Sequence, residues 1–188
     1  MCNYLEYENN KKKVKLKQMF CLVVYYGVAQ YLPKSGSYGN VGGVIRRFLC
    51  KQIFRKCGKG VNVERKAFFA SGLDIEIGDY SGIGINAHIP NGTIIGDYVM
   101  MGPNCFILDV NHSTSDTTVP MCMQGMTEKK TTRIGNDVWI GRDVHITSGR
   151  TIADGSIIAM CSVLTKDYPP FSVVGGNPAR LIKSRKPL

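Results

Sequence analysis

From Ile77 onward a large aliphatic side chain returns every six residues: Ile77, Ile83, Ile89, Ile95, Met101 and Ile107. A second run in the same rhythm takes in Ile134, Ile140, Ile146, Ile152, Ile158 and Leu164. The following residue is small in most hexads, as at Gly78, Gly84, Gly96, Gly102, Gly135, Gly141, Ala153 and Ala159. A period of six fits neither a 3.6-residue helix nor an alternating strand. It fits a hexapeptide solenoid: each hexad supplies a short strand and a corner, the aliphatic side chain points inward, and the small residue lets the backbone turn. Coils about 4.8 Å apart share backbone hydrogen bonds, and no coil can bury its own face alone.

The rhythm breaks once. The step from Ile107 to Ile134 is 27 residues in place of six, which extrudes about 21 residues within a loop spanning 108–133. An excursion that long inside a compact repeat is usually functional or disordered. The histidine near its base and its few Gly and Ser residues favour function. Ahead of the repeat, residues 1–57 read as a helical appendage. One helix is expected over 14–32, apolar after Lys17, and a second, amphipathic one over 42–57. The second places Val44, Ile45, Phe48, Leu49, Ile53 and Phe54 on one side, with Arg46, Arg47, Lys51, Arg55 and Lys56 elsewhere. The solenoid is expected over 58–188, with a less regular first coil at 61–76 and a tail at 169–188 that opens on Pro169 and Pro170.

Charge follows the same division. Residues 1–60 hold twelve Lys/Arg against Glu6 and Glu8, which accounts for the whole formal net charge of +10. The remainder is neutral. A surplus confined to the appendage argues against a nucleic-acid-binding domain and suits either a solvated face or an acidic partner surface such as anionic lipid. Packing of the appendage against the solenoid end is the other reading. The apolar run at 19–29 has eleven residues, too few to span a bilayer, which takes about 20. Seven scattered cysteines without a C-x-x-C pair fit a reducing, cytoplasmic setting, and no secretory signal is read at the start.

Three histidines are present. His88 and His145 fall at outward places of their hexads and read as surface residues. His112 stands off the repeat in the loop, flanked by Asp109, Asn111 and Asp116. Histidine suits general-base work near neutral pH, and a neighbouring carboxylate can fix its tautomer. Cys105 and Cys161 read as packing residues.

With these hexads, the "NHSTSD" loop, "DVWIG", and "VVGGNPAR" following "LTKD", the chain resembles the hexapeptide-repeat acyltransferases over residues 58–185. Within that family it looks most like the sugar and capsular-polysaccharide O-acetyltransferases and the maltose and galactoside acetyltransferases. The resemblance implies a mainly β fold: a left-handed parallel β-helix with three hexads per coil, assembled as a homotrimer. It implies acetyl-CoA as co-substrate, no metal, and His112 as the base of a direct transfer to a hydroxyl. The backbone N–H of Arg142 would face the developing oxyanion. The acceptor would meet Asn86, Asn111, Asp116 and Trp139, although Asn86 reads equally well as a corner residue. The coenzyme would lie along Gly141, Arg142, Ser148, Ala159 and Met160, its phosphates near Thr165, Lys166, Arg180 and Lys183. Arg142 and Met160 stand where relatives often carry small residues.

The function expected is acetyl transfer to a sugar or surface-polysaccharide precursor. Rivals are a xenobiotic O-acetyltransferase, a metalloenzyme like the gamma-class carbonic anhydrases, which needs three converging histidines, and a non-catalytic solenoid. A lipid-linked acceptor would place the protein in the cytoplasm at the inner membrane face.

Overall fold

The two aliphatic series form the inner wall of a parallel β-solenoid. Its structure, a computed structural model, describes residues 14–186. Two helices come first, α1 (Leu16–Gly27) and α2 (Val41–Ile53). The first coil carries β1 (Lys56–Cys57) and β2 (Asn62–Val63), and the second carries β3 (Glu76–Ile77) and β4 (Gly82–Ile83). Then come β5 (Ile94–Ile95), β6 (Met100–Met101) and β7 (Phe106–Ile107), β8 (Arg133–Ile134), β9 (Trp139–Ile140) and β10 (His145–Ile146), and β11 (Thr151–Ile152), β12 (Ile157–Ile158) and β13 (Val163–Leu164). The tail adds β14 (Ser172–Gly175) and β15 (Arg180–Ser184).

Three faces result. The first stacks β1, β3, β5, β8 and β11. The second runs from β2 and β4 through β6, β9 and β12 to β14, with Gly82 N–H donating to Val99 O (2.9 Å) between its two sheets. The third runs from bridges at Phe68 and His88 through β7 and β10 to β13. Identical hexad places therefore align: Ile77 with Ile95, Ile95 with Ile134, Ile134 with Ile152. All twelve series residues except the partly buried Met101 are at most 3% exposed.

The corners explain the small and polar residues between strands. A Cβ on Gly102 would stand 2.6 Å from Arg142 N, and one on Gly141 2.6 Å from Met160 N, so the coils can stack only where no side chain intervenes. Between first and second faces, each carboxylate or amide accepts a backbone N–H of the coil before it: Lys59 to Asp79 (2.8 Å), Asp79 to Asp97 (2.6 Å), Asp97 to Asn136 (2.8 Å), Asn136 to Asp154 (2.6 Å). That column satisfies N–H groups that strand pairing leaves over.

The appendage differs in two respects from its expected form. The solenoid begins at β1, two residues before residue 58, and the helices are shorter than the spans 14–32 and 42–57. More telling, only part of the expected apolar side of α2 meets the core, where Leu49, Ile53 and Phe54 are buried. Gly42, Gly43, Leu49, Cys50 and Ile53 are buried together with Arg46, while Val44, Ile45 and Phe48 are exposed. Arg46 is 0% exposed. Its Nε donates to Val63 O (2.7 Å), and Nη1 reaches the carbonyls of Ala29, Leu32 and Pro33 at 3.1–3.3 Å. Glu64 lies 3.7 Å from Nη2. Burial is tolerated because the turn after α1 aims a cluster of carbonyls at one guanidinium.

Both helices pack on the first coil, as one of the two readings of the appendage had it. Tyr25 Oη donates to Ala67 O (2.9 Å), Tyr26 Oη to Ala70 O (2.8 Å), and Tyr25, Tyr26, Phe54 and Phe69 form an aromatic cluster over the open end. At the far end β15 turns back antiparallel on β14. Replacing Arg46 by Met removes its hydrogen bonds to four carbonyls and should cost about 3 kcal/mol or more. Arg47→Ala on the same helix should stay within about 0.5 kcal/mol. Urea unfolding of both variants tests the difference.

Candidate active site

The extruded loop leaves the corner between the third and first faces and returns on itself as two antiparallel arms. Lys130 N–H donates to Asp109 O (3.0 Å), Thr127 N–H to Asn111 O (2.7 Å) and Ser113 N–H to Gly125 O (3.1 Å). His112 pairs with Met126 across this ladder. Gln124 ties the tip, its amide donating to the carbonyls of Asp116 and Val119 (both 2.7 Å) while accepting from Asp116 N–H (3.1 Å). The loop is thus a built arm. His112 is exposed on it, and its ring makes no hydrogen bond with the described residues.

The acids flanking His112 are engaged elsewhere. Asp116 accepts from the hydroxyl and backbone N–H of Thr118 (2.6 and 2.8 Å), which holds its carboxyl below the usual range. Asp109 pairs with Lys129 (3.2 Å). Asn111 Oδ1 accepts the backbone N–H of His112 (2.9 Å). The expected cluster of Asn111 and Asp116 around the imidazole therefore exists in sequence but not as contacts of the ring.

The remaining candidates fall into columns. Gly141 and Arg142 stack on Ala159 and Met160 at the corner between second and third faces. Ser148 lies in the corner across the third face, above the turn that carries Thr165 and Lys166, with Thr147 N–H donating to Leu164 O (3.0 Å). Arg142 Nε donates to Asp143 (2.9 Å), and its backbone N–H has no acceptor among the described residues. Met160, at 60% exposure, and Trp139, at 51%, both point outward, the latter between Met100 and Ile157 on the second face. Lys166 Nζ lies 5.4 Å over the Tyr168 ring. Arg180 and Lys183 are exposed on β15, beside the second face. Asn86 takes a left-handed φ of 55° and donates to Asn104 Oδ1 (3.0 Å), which continues to Asp143 (2.7 Å). It is a corner residue first. Cys105 is buried, which pushes its thiol up to about 11, whereas Cys161 is exposed at another left-handed corner (φ 60°) rather than packed.

A cleft of about 1010 Å³ opens at the loop base. His88, Asp74, Asn91, Asp109, Lys129 and Arg133 line it. Asn91 donates to Asp74 (3.2 Å).

The pattern of a bacterial transferase hexapeptide with six repeats matches residues 74–109 and 131–166, stopping on either side of the loop. The galactoside O-acetyltransferase of Escherichia coli is 34% identical over 140 residues, covering 73% of this chain and 68% of that protein. The chain belongs to the hexapeptide-repeat acetyltransferases. A solved family member from Vibrio cholerae superposes with a TM-score of 0.77 at 29% identity, covering 95% of this chain and 96% of that one. That protein has also been solved in complex with acetyl-CoA, where the TM-score is 0.73 at 28% identity over 91% of this chain and 88% of that one. A chloramphenicol acetyltransferase from Agrobacterium fabrum shares 50% identity, but over only 54 residues, 29% of this chain and 26% of its own length.

For this acetyltransferase, sequence reasoning missed the cleft and misjudged His88. The imidazole is stacked between Phe68 and Phe106 (centroids 4.9 and 4.5 Å), with Nδ1 buried and without a hydrogen-bond partner among the described residues. Its signal was present as Phe68, His88 and Phe106 at corresponding outward places, but the irregular first coil concealed the alignment. The three histidines do not converge, and among the described residues no group of three His, Cys, Asp or Glu forms a metal-binding cluster. Burial lowers the His88 pKa from its ordinary 6.5, with Asp109 opposing. As pH falls through the ordinary histidine range, the unfolded chain takes the proton first and stability is lost. His88→Phe should remove that loss in melting temperature, leaving a lower-pH decline to Asp116 and Asp143, which are held below the carboxylate range.

Proposed function

We propose that the chain transfers acetyl from acetyl-CoA to a hydroxyl of a sugar or surface-polysaccharide precursor, with His112 as general base and no acyl-enzyme. The observation that carries this reading is the His112 ring, exposed and without a hydrogen bond to the described residues, on an arm laddered to itself. His112 takes the acceptor hydroxyl proton as the oxygen attacks the thioester carbonyl. The free N–H of Arg142 is suited to stabilise the oxyanion. Collapse expels the coenzyme thiolate, which takes the proton back from His112.

His112 and Trp139 stem from different faces of one chain, so a site using both draws on two copies, and a homotrimer closes such contacts by symmetry. Asn86, Asn111, Asp116 and Trp139 then border the acceptor. The coenzyme follows the columns of Gly141, Arg142, Ala159 and Met160 and of Ser148 and Thr165, with Lys166, Arg180 and Lys183 for its phosphates. Free thiols at Cys21, Cys50, Cys57, Cys105 and Cys161 fit a cytoplasmic setting.

The xenobiotic reading is supported by short matches to chloramphenicol acetyltransferases, over 54 residues for the one from Agrobacterium fabrum, and by a probable macrolide acetyltransferase of Lysinibacillus sphaericus that is 38% identical over 112 residues, 62% of that protein. A mass-spectrometric screen of acetyl transfer to sugars and to chloramphenicol separates the two. His112→Ala should lower kcat by about 10²–10⁴ while acetyl-CoA binding by calorimetry persists. Unchanged turnover would refute the mechanism, and a monomer by light scattering would refute the shared site.

A further inference from the structure

The helical hairpin presents apolar side chains to solvent as well as to the solenoid. On α1, Leu16, Phe20 and Val23 are 77%, 67% and 66% exposed at i, i+4, i+7 spacing. On α2, Val41, Val44 and Phe48 are 58%, 50% and 63% exposed at i, i+3, i+7. The opposite sides of both helices hold the first coil, through Tyr25 Oη on Ala67 and Arg46 Nε on Val63. Both stripes therefore face away from the solenoid. The helices pack on each other, so both apolar stripes belong to one hairpin.

The charges that the hairpin itself carries have one sign. Lys15, Lys17, Lys51 and Arg55 are exposed beside the stripes. Not one Asp or Glu occurs between residues 9 and 63. Glu76, from the second coil, reaches only Arg55. A second copy would be a poor occupant, since an isologous contact brings together two hairpins of the same positive charge. Neither helix is long and apolar enough to cross a membrane. We infer that this face of the hairpin lies on an anionic lipid bilayer, its aliphatic and aromatic stripe entering the headgroup boundary and its cations meeting lipid phosphates. The solenoid then stands on the bilayer by its first coil. The inference is independent of the acceptor, because a chain that acetylates sugars yet ignores vesicles overturns it and leaves the catalytic reading intact.

Vesicle flotation of the full chain tests it, with phosphatidylcholine alone against phosphatidylcholine mixed with phosphatidylglycerol. Binding should be at least about tenfold tighter on the anionic vesicles and should weaken as salt is raised. The double variant Phe20→Asp/Phe48→Asp should lose flotation while keeping the wild-type mass by light scattering and its acetyl-CoA binding. Flotation of that variant like wild type, absence of flotation of the full chain, or equal binding to both vesicles would overturn the inference. A fall in mass on substitution would overturn it too, by assigning the stripe to a contact between copies.

Discussion

Each coil is held by backbone hydrogen bonds to the coils above and below, at a spacing that leaves no room for side chains at certain corners. At several corners backbone lies against backbone: a Cβ on Gly102 or Gly141 would meet the next coil's peptide nitrogen at 2.6 Å. Regular stacking brings the aliphatic places into register, and register makes a dry core from strands two residues long. No such strand pair would survive alone. Stability is therefore a property of the stack, and its two open ends have to be covered.

The two ends are covered differently. At the far end the chain folds back as β15, an antiparallel strand. At the near end the hairpin drives Tyr25, Leu49 and Ile53 onto the first coil and spends a buried arginine to fix the turn between helices to Val63. Because the carbonyls of Ala29, Leu32 and Pro33 converge on Arg46, the cap has one orientation, and the opposite side of both helices is left to solvent.

A rigid stack also explains where function can sit. Side chains inside the repeat point strictly in or out, with partners dictated by coils one step away, as Asn86 is bound to Asn104. Only the interruption after Ile107 escapes this geometry, and its laddered arms carry an imidazole beyond the reach of those columns. The scaffold holds the base of the arm, and the arm holds His112.

The solenoid was legible because a six-residue period is a direct image of the coil, and the loop because it is a gap of known length in that period. The columns proposed to carry the coenzyme were legible as columns for the same reason: equal hexad places must stack. Arg46 was not. Helical periodicity sorts side chains by polarity and takes a charge as a mark of solvent, whereas the acceptors that make burial tolerable come from a turn more than ten residues away. His88 was hidden similarly, since its stacking between Phe68 and Phe106 depends on an irregular first coil whose register only pairing decides. The sequence by itself determined the repeat, its strand positions, the extruded loop and the identity of the one histidine free of the coils. Only the tertiary structure decided which side of each helix meets the solenoid, which acids are already engaged, and where a cleft opens, because these depend on contacts between segments that no local period encodes.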